Sequence, residues 1–567
     1  MKKKLTQLVL PLLLVVFTFL ILKPLFSNQL LYSDDGELHA ARIANYYLAI
    51  KQDQIPPRWA PNLNSGYGYP VLNFTYPLPY AISTFIYMAF PITIVMSLNL
   101  TIILLTMTGV LGIYYLARQF SLSHQKSILA AGIYLTALYT LINIYSRVAL
   151  GEIAFFGILP WVMWGVENFI KNKKIKPTIS LALLASLSLL ILSHQTSLII
   201  TLPILTIYYL LRMENKKEII ALIKRIAPIG IISLLITAWY WLPALWEKQF
   251  VIIDRAGTVT NYLDQFPAYW SLFFHQITNL EKLDVLKIVS IGYSNLIIIL
   301  ISLYLITKNK IKDQKEIRYL LTIYFLIIIL MMPFTKPLWL ISGLGHYIQY
   351  PWRLLSIVTL VSTLLFIHLF KNQLVNNFFI GILFVTSLLS VFVYAQPRGF
   401  QSWSDYELFE YFKTTTTFNE FQPIWAAEHT RHFPEEKISL RVSQQKLYDD
   451  EILQPADYTN LEIQNWNGSQ MNYTIETNEL VDIIQKTYFF PGWELTVDDQ
   501  KQQIKYQDEE FPGHITYSLK PGRHQIQLQF TQNTPTRKIG ANAFFIGLIS
   551  LVLYLNLSKI TKLLHLW

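Results

Sequence analysis

Asp35, His39 and Arg42 stand at i, i+4 and i+7 early in the chain, a spacing that puts a carboxylate, an imidazole and a guanidinium on one helix face. A carboxylate so placed can take a proton from a hydroxyl, and an adjacent cation can hold a phosphate or orient the base. Asp34 has Glu37 three residues on, the pattern of a capping box, which gives Asp34 a structural task as N-cap. The same pattern also describes a polar cluster on a capped surface helix, so spacing alone does not separate a base from an ion pair.

Other candidates lie far apart in the chain. Ile55-Pro56-Pro57-Arg58-Trp59 and Gly66-Tyr67-Gly68-Tyr69-Pro70 form a loop that must turn repeatedly. Arg58 could clamp a phosphate there, with Trp59, Tyr67 and Tyr69 as stacking faces for a sugar; an interfacial aromatic belt would read the same way. Arg147 and Glu152 fall between two apolar blocks, where ionisable groups face protein or a wet cavity. A plain buried ion pair is the alternative. His194, His346, Gln349 and Arg353 complete a ring of polar groups, although a lone histidine reads equally as a packing residue. Asp35, Asp34 and Glu152 are thus the candidate catalytic acids. A divalent cation, if one is used, would fall to Asp35 and Glu152, but the spacing does not require it. No Gly-x-Ser-x-Gly elbow or P-loop occurs.

The elements that must position these residues follow from composition. Of 567 residues 53% are hydrophobic and 14% charged, against roughly 25% charged in soluble proteins. Apolar blocks near 8–26, 94–117, 127–143, 153–170, 178–193, 197–212, 226–243, 287–307, 318–334, 352–370, 377–395 and 540–557 approach the ~20 residues that a transmembrane helix needs. The fold class is therefore a polytopic α-helical membrane protein with about twelve spans. A further block, 79–90, is shorter and bounded by prolines, as a re-entrant or interfacial helix would be. Met1-Lys2-Lys3-Lys4 and the apolar run Leu8 to Leu22 read as an uncleaved first span.

Charge sets the expected topology. The net charge is +10, yet residues 396–537 carry 12 Lys/Arg against 21 Asp/Glu. Positive charge confined to short loops follows the positive-inside bias and gives no reason to expect nucleic acid as a partner. If 79–90 does not cross, the basic loops and both termini are cytoplasmic. Segments 27–78, 144–152, 244–286 and 335–351 are then extracytoplasmic, together with 396–537. Cysteine is absent, which excludes disulfides and thiolate chemistry.

This divides the chain into a membrane domain at 1–395 with its first outer loop at 27–78, an extracytoplasmic β-rich domain at 396–537, and a last helix with a cytoplasmic tail at 538–567. Alternating polar and apolar residues mark strands at Val481–Thr487, Trp493–Val497, Gln502–Tyr506, His514–Leu519 and Gln525–Phe530, with Pro521-Gly522 as a turn. A sandwich-like domain results, preceded by a short helix within 404–412. No internal repeat occurs, so an inverted-repeat transporter is not indicated.

Asp35-x3-His39-x2-Arg42, Ile55-Pro56-Pro57-Arg58-Trp59, Gly66-Tyr67-Gly68-Tyr69-Pro70, Tyr76-Pro77-Leu78-Pro79-Tyr80, Arg147-x4-Glu152, Ser193-His194 and Gln349-Tyr350-Pro351-Trp352-Arg353 occur in that order. The series resembles prokaryotic membrane proteins described as 6-pyruvoyl-tetrahydropterin-synthase-related, a label that implies no pterin chemistry here. Phe490-Pro491-Gly492-Trp493-Glu494-Leu495-Thr496-Val497-Asp498 and Leu519-Lys520-Pro521-Gly522-Arg523-His524 are similar to the C-terminal β domain of bacterial YfhO-type membrane proteins. Both groups look like the GT-C superfamily of polytopic glycosyltransferases.

That resemblance implies a multi-pass protein of the prokaryotic plasma membrane. It implies a polyprenyl-phosphate sugar as donor, a hydroxyl of a lipid, glycan or polymer as acceptor, and an acid of the first outer loop as base. Asp35 fits the family spacing to His39 better than Asp34, and the doubled acid leaves the choice open. A glycolipid transporter or flippase is the rival class, and it would need a polar path through the membrane where mid-span ionisable residues are scarce. A non-catalytic cell-envelope assembly protein is a third.

Overall fold

The computed structural model describes residues 2–254, 261–273, 289–308, 314–371, 377–416, 419–426, 438–442 and 458–564. Each of the twelve apolar blocks carries helix. The labelled helices are α1 (Lys2–Ile21), α2 (Gly36–Lys51), α3 (Pro77–Ala89), α4 (Ile94–Gln119), α5 (His124–Thr136), α6 (Leu150–Lys171), α7 (Pro177–Ile191), α8 (Gln195–Leu211), α9 (Lys216–Glu247), α10 (Tyr293–Thr307), α11 (Gln314–Leu330), α12 (Leu355–Lys371), α13 (Asn377–Tyr394) and α14 (Pro535–Leu564). Parts of the expected segments 244–286, 287–307 and 396–537 lie outside the described residues.

Among the described residues, five helices are long and apolar enough to cross a membrane on their own, or up to seven if each of two bent pairs is one span. The expected number was about twelve. The difference is one of length: α7 and α8 have 15 and 17 residues, or roughly 22 to 26 Å at 1.5 Å per residue, short of the ~30 Å hydrocarbon core. Helix α3, with Pro77 in its first turn and Pro91 just beyond its end, has 13 residues and is shorter still, as an interfacial or re-entrant helix would be.

Close packing brings the helices together. On α6, a Cβ at Gly157 would come within 2.5 Å of Leu105 O on α4, and on α14 one at Gly540 would meet Ala238 O of α9 at 2.8 Å. Small residues at these points let the backbones approach. The block expected as one span at 127–143 is broken instead: α5 ends at Thr136, and the chain resumes at 54° to it as Leu138–Arg147. That second piece closes in a π-helical turn, Ile142–Arg147, followed by Val148 in the left-handed region at φ 54°. A β-branched residue there is strained, and the turn brings Arg147 back towards Glu152.

The C-terminal lobe is a two-sheet antiparallel sandwich. One sheet orders β3 (Ile438–Val442), β6 (Val481–Tyr488), β10 (Pro512–Leu519) and β9 (Lys505–Gln507); the other orders β4 (Tyr458–Trp466), β5 (Gln470–Thr477), β11 (Gly522–Phe530), β7 (Trp493–Val497) and β8 (Gln500–Gln502). The Pro521-Gly522 turn thus passes the chain from one sheet to the other and does not close a hairpin. The strand expected at Gln502–Tyr506 is two strands, β8 and β9, one in each sheet. Along β11, Ile526, Leu528 and Phe530 are buried and alternate with exposed residues, as a strand with one covered face requires.

Two short strands join the lobe's approach to the first loop: β1 (Leu30–Leu31) pairs antiparallel with β2 (Phe400–Gln401). A short helix, Asp405–Phe409, follows with a capping box formed by Ser404 and Glu407. This stretch packs on the first loop, where Asn62 Nδ2 donates to Phe409 O at 2.8 Å.

Candidate active site

A cavity of about 750 Å³ opens at the end of the helices that carries the first loop. Asp34, Asp35, His39 and Arg42 line it from the start of α2; Arg147, Glu152, His194, Gln349 and Arg353 line it from elements distant in sequence. Nine of the candidates thus share one space. The side chain of His346 lies outside the described ones.

The capping box expected at Asp34 does not form. Helix α2 starts at Gly36 with Asp35 in the N-cap position and no side-chain cap. The chain before it is held from outside: Asp34 N donates to Ser146 O at 3.1 Å and Asp35 N to Arg147 O at 2.9 Å. Asp34 Oδ1 lies 3.4 Å from Arg398 Nη1, and Glu37 accepts from Tyr411 Oη at 2.7 Å. Tertiary partners have taken the groups that a cap would use.

The Asp35 carboxylate accepts no hydrogen bond from a described residue. Burial raises its pKa, and the nearby charges of Arg147, Arg353 and Arg42 offset only part of that. A base works best when its pKa approaches the working pH.

Glu152 has a different environment. Its Oε1 lies 2.9 Å from Arg147 Nη1, and its Oε2 accepts from Tyr139 Oη at 2.7 Å and Asn143 Nδ2 at 3.2 Å. Arg353 Nε is 3.8 Å from Oε1. Both oxygens accept hydrogen bonds, so this side chain holds the Arg147 guanidinium in place and lies beside that of Arg353. The Arg147 guanidinium lies 4.6 Å above the Trp352 ring, and Arg353 Nη1 donates to Gln349 Oε1 at 2.8 Å. Arg42 donates from Nε to Thr415 Oγ1 at 2.9 Å and from Nη1 to Tyr80 Oη at 3.1 Å, and it also holds Thr415 O.

His39 and His194 are neutral at pH 7. Burial, then the charge of Arg42, pushes His39 well below its usual range, with Nδ1 2.9 Å from Tyr80 Oη. Burial also brings His194 down to about 4. His194 caps α8, its Nδ1 accepting from Ser197 N at 3.3 Å, which leaves the proton on Nε2. Among the described residues that line the cavity, positive charge therefore comes from Arg42, Arg147 and Arg353.

Among the described residues no group of three or more His, Asp or Glu side chains could hold a metal ion. The carboxylate of Glu152 is already spent on Arg147, Tyr139 and Asn143, and Asp35 is faced by guanidinium groups.

Arg58, Trp59, Tyr67 and Tyr69, expected at the donor, do not line the cavity. Arg58 donates to Asn73 Oδ1, Trp239 O and Gln532 Oε1 at 2.6, 2.6 and 2.7 Å. Trp59 is fully buried, its ring centroid 5.5 Å from that of Phe530 and 5.8 Å from that of Trp493. Tyr67 stacks on Tyr488 at 4.8 Å, while Tyr69 binds Thr416 Oγ1 at 2.7 Å and accepts from Phe421 N at 3.0 Å. The Pro- and aromatic-rich loop is the seat of the β lobe. A wholly buried pair nearby, Glu247 with Arg537 at 2.9 Å, ties α9 to the start of α14.

Sequence reasoning missed Thr415, Thr416 and Glu420, which line the cavity from the chain ahead of the sandwich, and Arg398, the partner of Asp34. The Thr414–Thr417 run was visible but carried no chemical pattern. Arg398 follows an apolar block and belongs to no motif.

Several apolar helices, a β lobe seated on their loops and an acid set among guanidinium groups together define a polytopic membrane protein with a polar site at one end of its bundle. The chain matches, over residues 72–396, the family described as 6-pyruvoyl-tetrahydropterin synthase related domain, membrane protein. It belongs to that family. No curated protein matches it. Among solved structures it is similar to the arabinofuranosyltransferase AftD from Mycobacteria, at 13% identity and a TM-score of 0.45 over 68% of this chain and 27% of that one. A mutant form of the same enzyme gives 14% identity and a TM-score of 0.44, over 69% of this chain and 28% of that one. The chain spans little more than a quarter of the length of these proteins.

Proposed function

We propose that this protein is a membrane glycosyltransferase of the GT-C type that moves a sugar from a polyprenyl-phosphate donor to an acceptor hydroxyl on the extracytoplasmic face, with inversion at the anomeric carbon. The observation that carries this reading is the Asp35 carboxylate, free of hydrogen bonds from described residues, in one cavity with Arg42, Arg147 and Arg353. Asp35 takes the acceptor proton as the acceptor oxygen bonds to the anomeric carbon. The bond from that carbon to the phosphate oxygen breaks, and its electron pair leaves with the phosphate, whose growing charge the guanidinium groups and His194 Nε2–H stabilise. The acceptor is a lipid, glycan or polymer of the cell envelope.

A lipid-linked donor suits the cavity wall. Ile199 lines it from α8 and is 60% exposed, with Leu202 on the same helix 52% exposed, so a prenyl tail could remain in hydrocarbon while its phosphate reaches the arginines. A transporter would need the space to continue through the bundle. The chamber that shares Glu152 on its wall holds only about 30 Å³.

The test is to reconstitute the whole protein and offer a panel of radiolabelled polyprenyl-phosphate sugars with envelope acceptors. Transfer with an inverted anomeric configuration is expected. Binding or translocation of a donor with neither transfer nor hydrolysis would overturn the enzyme reading in favour of a transporter.

A further inference from the structure

Two adjacent acids open α2 and both line the cavity, but their partners differ. Asp35 faces the cavity without a hydrogen bond from a described residue. The side chain of Asp34 is 40% exposed and contacts Arg398. Arg398 is the unusual member of this group, because its side chain is only 10% exposed and its buried Nε and Nη2 find no hydrogen-bond partner among the described residues. A buried guanidinium without compensation is costly, and Asp34, 3.4 Å from its Nη1, is the carboxylate it meets.

The backbone fixes this pairing. β1 and β2 pair Leu31 with Phe400, and Tyr32 N donates to Gly399 O at 3.0 Å, which sets Arg398 opposite the residues that precede α2. Asp34 N and Asp35 N are held by the carbonyls of Ser146 and Arg147. The two acids therefore cannot exchange places without breaking the β1–β2 contact or those two bonds.

We propose that Arg398 is the positioning residue that clamps Asp34 outside the reaction and so assigns the base role to Asp35. The inference rests on the glycosyltransferase reading above. By holding and neutralising Asp34, Arg398 keeps a second bare carboxylate away from Asp35. The charges that bear on Asp35 are then Arg147 and Glu152 from the chain around the π-helical turn, Arg353 from the chain before α12, and Arg42 on its own helix. Those that bear on Asp34 are Arg398, Arg147 and Asp35. Without Arg398 the two acids become a coupled pair that shares a proton at higher pH.

The experiment uses the full chain in nanodiscs with Arg398→Gln, Arg398→Lys, Asp34→Asn and the Asp34→Asn/Arg398→Gln double variant. Arg398→Gln is expected to lower kcat about 10- to 100-fold, as a misplaced reacting group does, with the donor KM nearly unchanged. The acid limb of its pH profile should move up by about one unit. Arg398→Lys should restore most of the rate, and the double variant should be faster than Arg398→Gln alone, because no bare acid remains beside Asp35. Unchanged kcat and pH profile in Arg398→Gln, or a double variant as slow as that single one, would overturn the proposal.

Thermal unfolding of the same four proteins supplies a readout that needs no activity. Non-additive melting shifts for Asp34 and Arg398 are expected, and additive shifts would overturn the clamp even if Arg398→Gln folds poorly. Failure of the unaltered protein to transfer sugar would count against the glycosyltransferase reading, while the unfolding cycle would still decide whether the clamp exists.

Discussion

Glu152 Oε1 lies 2.9 Å from Arg147 Nη1 and 3.8 Å from Arg353 Nε, so one buried carboxylate holds two guanidinium groups from distant parts of the chain. Removing it leaves Arg147 buried without its ion pair, a loss of about 3–5 kcal/mol for a buried pair. Glu152→Gln should therefore lower the melting temperature of the detergent-solubilised protein and raise the donor KM, since both arginines lose their anchor. A variant with unchanged stability would mean that the pair carries no structural load.

Asp35 and Asp34 should separate in mutagenesis. Asp34→Asn keeps the acid that accepts no hydrogen bond from a described residue and should retain transfer within about tenfold, whereas Asp35→Asn removes the proposed base and should abolish transfer. Transfer rates of the two variants, measured at matched expression and folding, decide which acid acts.

The pH profile follows from the surroundings of the site. Burial raises the Asp35 pKa, and a base is lost when it is protonated, so kcat/KM should fall as pH drops through a value above the ordinary aspartate pKa of about 3.9. Because burial brings His194 down to about 4 and holds His39 well below its usual range, neither should give an inflection between about pH 6 and 8. A histidine-like inflection there, removed by substituting either residue, would contradict the neutral assignment.

The loop that seats the β lobe should behave as a structural joint. Trp59→Ala deletes a fully buried ring from a contact with Phe530 and Trp493 and should cost about 3–5 kcal/mol. The donor KM of the folded fraction should not change. A selective rise in donor KM with unaltered melting would return Trp59 to the sugar site.

Hydropathy located the apolar helices among the described residues, because apolar runs and prolines are local signals, but the break after Thr136 and the π-helical turn at Ile142–Arg147 depend on packing that no local pattern encodes. Arg147, Glu152, His194 and Arg353 could be grouped with Asp35 because the topology argument put their loops at one end of the bundle. Arg58, Trp59, Tyr67 and Tyr69 were assigned to the donor because a proline- and aromatic-rich loop looks alike whether it stacks on a sugar or on Phe530 and Tyr488. The capping pattern at Asp34 misled for a related reason: Arg398 and Tyr411, far along the chain, claimed the side chains that the motif would have used.

In the proposed mechanism Asp35 removes the acceptor proton in a cavity whose guanidinium groups hold the donor phosphate. Single-turnover transfer by Asp35→Asn, with folding and donor binding verified, tests it most directly. A loss of about 100- to 10,000-fold in the chemical step is expected with donor affinity retained, and a rate within about threefold of the unaltered protein would show that Asp35 is not the base.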